Sequence, residues 1–152
     1  PALARRWAVS ADGRTYTFTL RPGVKYHTDT AAFGPAGTRA VRAQDVVFSF
    51  TRICDARTAS PGQWIFTGRV EGAQAFFEGK APSVQGFAAL NDSTVQITLT
   101  AAFPPFLALL AMPYASVLPP EALAAHGTGF RQRPVGTGPF RLGRWEGGLL
   151  AL

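Results

Sequence analysis

The stretch Thr15-Tyr16-Thr17-Phe18-Thr19-Leu20 constrains the fold most: hydroxyl and large apolar residues alternate strictly between two turn signals, Asp12-Gly13 and Pro22-Gly23. Period-two patterning places Tyr16, Phe18 and Leu20 on one face of a β-strand and the threonines on the other, so the sheet holding it is covered on one side. Residues 3–10 read as the first arm of a hairpin that turns at Asp12 and Gly13. Punctuation limits the rest. With 16 Gly and 12 Pro in 152 residues, the chain favours many turns and short elements over long helices.

A helix is expected over residues 43–53, where Val46, Val47, Phe50 and Ile53 share a side and Asp45 lies in the first turn. A shorter one is expected over 70–79, with Val70, Ala73, Phe76 and Phe77 on one face and Gly79 placed to end it. Strands over 83–90 and 94–100 flank the turn Asn91-Asp92-Ser93. Further short helices start from prolines at 105–111 and 121–126. Residues 24–27, 140–145 and 149–152 read as short strands, and 28–42, rich in Ala, Gly and Thr, as a mobile loop. The fold class is α+β, with a mainly antiparallel or mixed sheet and a few short helices, and neither an internal repeat nor a linker interrupts it.

Composition excludes several classes. Apolar residues make up 47% and charged ones 16%, which rules against disorder. The longest apolar stretch, residues 103–118, is broken by Pro104, Pro105 and Pro113 and is shorter than the roughly 20 residues a bilayer span needs. The net charge is +6. Arg5, Arg6, Arg14 and Arg21 at one end and Arg131, Arg133, Arg141 and Arg144 at the other could meet as one basic region, a candidate surface for a phosphate backbone. No RNP, KH, zinc-finger or helix-turn-helix pattern accompanies them, so no nucleic acid is expected as a partner. The first nine residues contain no apolar core of a signal segment.

Catalytic constellations are missing. There is no G-x-S-x-G elbow or P-loop, and Gly136 and Gly138 do not open a dinucleotide motif because Arg141 takes the third glycine position. Cys54 is the single cysteine, and His27 and His126 have no carboxylate or thiol at ligand spacing. No enzyme, metal or cofactor is expected.

Seven ordered blocks carry a resemblance. They are Leu3-Ala4-Arg5-Arg6-Trp7 with Asp12-Gly13-Arg14-Thr15-Tyr16-Thr17-Phe18, Leu20-Arg21-Pro22-Gly23-Val24-Lys25-Tyr26-His27, and Ala43-Gln44-Asp45-Val46-Val47-Phe48-Ser49-Phe50. Asp92-Ser93-Thr94-Val95, Pro104-Pro105-Phe106-Leu107, Met112-Pro113 and Pro134-Val135-Gly136-Thr137-Gly138-Pro139-Phe140 complete them. In this order they resemble the extracytoplasmic solute-binding proteins of ABC importers, family 5, which includes the dipeptide, oligopeptide and nickel receptors. The resemblance runs over nearly the whole chain and implies one lobe of a two-lobed, type II (cluster C) periplasmic-binding-protein fold. Residues 1–152 would form a single N-terminal lobe fragment of a much longer protein.

The implied function is capture of a peptide or similar small solute between two lobes and delivery to a membrane permease, without catalysis. The implied partners are that solute, the ABC permease and the missing C-terminal part of the chain; the implied location is periplasmic, or extracytoplasmic and membrane-anchored. A ligand-sensing domain of a regulator on the same fold is the alternative. Two departures from the family pattern stand out. The run from His27 to Asp45 is longer than usual, and Arg42 replaces the Thr or Ser that normally caps the following helix, a loss of about 1 kcal/mol unless another group substitutes.

Trp64, in Pro61-Gly62-Gln63-Trp64, lies where relatives place an aromatic over the ligand; ordinary packing is the competing role. Tyr114 and Met112 are the other candidate ligand contacts, with a half-buried tyrosine on a strand as the competitor. Gly136, Thr137, Gly138 and Pro139 would stand beside the hinge, their glycines allowing positive φ or close chain approach. Cys54 reads as a small buried hydrophobe.

Overall fold

The structure, a computed structural model, describes residues 3–146 and 149–151. The chain divides into two compact units, one of Pro1–Pro22 and Arg42–Val117, the other of Gly23–Val41 and Leu118–Leu152.

In the first unit β1 (Ala4–Val9) and β2 (Thr15–Leu20) form the expected hairpin. β3 (Phe87–Asn91) and β4 (Thr94–Thr98) form a second one. The four strands are antiparallel in the order β1-β2-β4-β3. Tyr16 stands opposite Ile97 and Phe18 opposite Val95, so the alternation of β2 continues in β4 and gives the sheet one apolar face. Helix α2 (Ala43–Cys54) packs on β3 and β4 through buried Val46, Phe50 and Ile53. Phe50, Phe66, Phe87 and Phe106 then form a chain of ring contacts, with centroids 4.8 Å apart for Phe50 and Phe66 and 5.3 Å for the edge-on pair Phe66 and Phe87. Tyr16 joins edge-on to Phe106 at 5.2 Å and donates its hydroxyl to the Phe103 carbonyl.

The Arg42 side chain has only donors and cannot cap, yet the start of α2 is held. The Asp45 carboxylate reaches back to the Arg42 N–H at 2.9 Å, and the Asp92 carbonyl, from the turn between β3 and β4, accepts the Ala43 N–H at 2.8 Å. A tertiary contact thus replaces the expected side-chain cap.

The second short helix is trimmed. α3 covers Ala73–Phe77, because Val70 is drawn into a bridge with Leu99 at the end of β4. The strand expected from residue 83 begins at Phe87 for a related reason. Gly86 is wedged against Val70 and the Thr98 carbonyl, where a Cβ would lie 2.5 Å from the Val70 side chain. α4 is one turn, Phe106–Leu109.

In the second unit, residues 24–27 do not form a strand; Lys25 and Ala40 make one isolated bridge. The stretch read as a mobile loop is built instead: Asp29 caps a short helix α1 (Thr30–Phe33) by accepting the Ala32 N–H at 3.0 Å, and a 3-10 turn, Gly34–Ala36, follows. α5 (Pro120–His126) packs on α1. Tyr26, Ala122 and Val135 form the small core, flanked by Ala32, Phe33, Val41 and Phe130. β5 (Arg144–Glu146) and β6 (Leu149–Ala151) pair antiparallel and are shorter than the expected strands, and Leu152 lies outside the described residues. No helix among the described residues is long and apolar enough to cross a membrane.

Candidate functional site

In the first unit, Trp64 lies on a 3-10 turn, Gln63–Ile65, whose neighbours Ile65 and Phe66 are fully buried. Those two anchors hold the turn down and leave Trp64 39% exposed. Tyr114 lies on a second 3-10 turn, Pro113–Ala115, rather than on a strand, and is 42% exposed. Met112 is half-buried at the start of that turn, its carbonyl accepting the Ala115 N–H.

Gly62 joins the two turns. A Cβ there would lie 2.4 Å from Tyr114 Cβ and 2.7 Å from its Cγ, so only glycine allows the tyrosine to pack on this backbone. The Trp64 turn is therefore locked to the Tyr114 turn, presenting two large aromatics that the core does not use. Arg69 braces the same region: its guanidinium lies 5.9 Å from the Trp64 ring centroid and 5.1 Å from that of Phe103, and it donates to the Trp64 carbonyl. Neither Gly62 nor Arg69 was singled out from the sequence. A glycine before an aromatic hints at close approach, but nothing local points to Arg69.

The second unit uses its candidate residues differently. Gly136 and Gly138 are not in the positive-φ region, and a Cβ would be accommodated at both, 3.8 Å from His27 at Gly136 and in open space at Gly138. The expected conformational role for these glycines is corrected. Their carbonyls do the work: Gly136 accepts the His27 N–H and Gly138 accepts from His27 Nε2, each at 2.8 Å. A carbonyl only accepts, so Nε2 carries a proton, and Nδ1 is buried with no partner among the described residues.

His126 Nε2 lies 2.6 Å from Asp29 Oδ2, with both side chains largely buried. Burial raises the Asp29 pKa, but the hydrogen bonds from His126 and the Ala32 N–H and the His126 charge outweigh it and hold the carboxyl below its ordinary value. His27, Asp29 and His126 line one open cavity of about 490 Å³, with Gln132, Arg133 and Arg141. Sequence spacing could not join them, since 97 residues separate Asp29 from His126. Among the described residues no three His, Cys, Asp or Glu side chains are grouped to hold a metal. Cys54 is fully buried, and desolvation pushes its thiol up to about 12, so it packs as a hydrophobe.

The family model of the bacterial extracellular solute-binding proteins, family 5 Middle, matches residues 1–149. The dipeptide-binding protein of Escherichia coli (strain K12) is 42% identical over 96% of this chain. An oligopeptide ABC transporter from Bacillus anthracis (substrate-binding domain) superposes with a TM-score of 0.82 at 32% identity over 96% of this chain. Listeria monocytogenes OppA bound to peptide superposes with a TM-score of 0.81 at 26% identity over 97% of this chain. The chain spans 27% of the length of the first two and 28% of the third. The fold is of the periplasmic-binding-protein type II class, and nothing in the comparisons supports the regulator alternative. The chain belongs to the bacterial extracellular solute-binding proteins, family 5.

Proposed function

We propose that the complete protein is the substrate-binding component of an ABC importer: it captures peptides or similar small solutes outside the membrane and hands them to a permease, with no reaction catalysed. Its place is periplasmic, or extracytoplasmic and membrane-anchored. The observation that carries this is the pair Trp64 and Tyr114, kept out of the core by turns that Gly62 locks together. Exposed, rigid aromatics stack on peptide planes and apolar side chains at little conformational cost, and a second surface closing over them completes the burial. Trp64, Tyr114 and Met112 form part of the ligand surface, and the rest of the chain supplies the other contacts. The segment of Gly136, Thr137, Gly138 and Pro139 is a structural strap beside the hinge, held through His27.

Calorimetry of the full-length protein against dipeptides, tripeptides, longer peptides, haem and nickel chelates tests this reading. Peptides should bind, and Trp64→Ala should lower their affinity about tenfold with little change in melting temperature. A large loss of stability with affinity intact would make Trp64 a packing residue and remove the aromatic face from the site.

A further inference from the structure

We propose that Arg69 is a carboxylate-recognising subsite beside the Trp64 and Tyr114 surface, which biases the receptor towards anionic ligands; the inference rests on that surface being the ligand face. The guanidinium lies against the rings of Trp64 and Phe103, at 5.9 and 5.1 Å from their centroids, and spends one N–H on the Trp64 carbonyl. The two rings beside the cation strip part of its water, and the N–H donors other than the one given to Trp64 have no partner among the described residues.

No carboxylate among the described residues neutralises it. The acids nearest in sequence are engaged elsewhere: Asp55 with Arg57, Glu71 with Arg14 and Glu78 with Lys80, each at 2.7 Å. Arg39 in the second unit shows the contrast, since it too lies against two rings but is closed by a bidentate pair with Glu121 at 2.7 and 2.6 Å. A partly dehydrated cation with unused in-plane donors is a preformed receptor for a planar anion. Its fixed geometry, braced on Trp64, suits a ligand already stacked on the indole. The carboxylate can come from an acidic side chain or from a peptide C-terminus.

The test is calorimetry of the full-length protein with Ala-Asp-Ala, Ala-Asn-Ala and both peptides amidated at the C-terminus, using wild type, Arg69→Gln and Trp64→Ala. If the side chain is read, Arg69→Gln weakens the Asp peptides about tenfold and the Asn peptides less than twofold. If the terminus is read, it weakens both free acids and spares both amides. Either pattern supports the subsite and names its source. Equal affinities in wild type and Arg69→Gln for all four peptides, with Trp64→Ala still weakening them, overturn the subsite and leave the ligand face standing. If neither substitution changes binding, or wild type binds no peptide, the ligand face fails with it. Should Arg69→Gln misfold, wild type alone decides: a preference for free carboxylate that fades from 20 to 500 mM salt supports the subsite, and its absence overturns it.

Discussion

The two units reach a folded state by different means. The first covers one face of a four-stranded sheet with a twelve-residue helix and fills the space with Phe50, Phe66, Phe87 and Phe106, so its order comes from apolar burial. Among its described residues the second has three core side chains and no sheet beyond two short strands. Its segments are joined by polar clamps: Arg39 to Glu121, Asp29 to His126, and His27 to the Gly136 and Gly138 carbonyls. A rich apolar core leaves aromatics such as Trp64 outside it, whereas a small core needs directional bonds to set the geometry of its loops.

The comparison breaks most easily at Phe66. Phe66→Ala should cost about 3 to 5 kcal/mol in denaturant unfolding, because it removes the ring shared by three aromatic contacts. Amide exchange should rise across β2, β4 and α2 while the amides of α5 change little. Arg39→Ala comes next, at about 2 kcal/mol, since it removes a bidentate ion pair and the contacts on Tyr26 and Phe33 together. Here faster exchange should be confined to α1 and α5, and a loss spread evenly over both units would contradict the division.

Asp29→Asn keeps a capping oxygen but loses the charge facing His126, and about 1 kcal/mol is expected. The same carboxylate gives a pH signature. Its folded pKa lies below 3.8, so its stabilisation is complete above that value and is lost as pH falls through the folded pKa. Thermal melts from pH 6 down to pH 2 should therefore show a loss at the acid end that Asp29→Asn reduces. Arg57→Ala should have the smallest effect, a melting temperature indistinguishable from wild type, because its pair with Asp55 leaves the arginine side chain 89% exposed.

Much of the first unit was legible residue by residue. The Thr-Tyr-Thr-Phe-Thr-Leu alternation, the Asn91-Asp92-Ser93 turn and the helical spacing of Val46, Phe50 and Ile53 are local patterns, and each element appears where its pattern lies. Reading failed where a residue served a distant partner. Val70 fits a helix by spacing but pairs with Leu99; Gly136 and Gly138 look like conformational glycines but act through carbonyls that hold His27. The candidate site divides the same way. Trp64 and Tyr114 are candidates through the family resemblance of the stretches around them, but their union through Gly62 and the placing of Arg69 lie outside that pattern.

From the residue order alone come the α+β class, the hairpins, the main helix and the family pattern, because hydrogen-bonding period and turn chemistry act over a few neighbouring residues. Packing decided which distant stretches meet. The join of Gly62 to Tyr114, the contact of Arg69 with Phe103 and the pair of His126 with Asp29 depend on volume and charge satisfied between segments far apart in the chain, which no local pattern encodes.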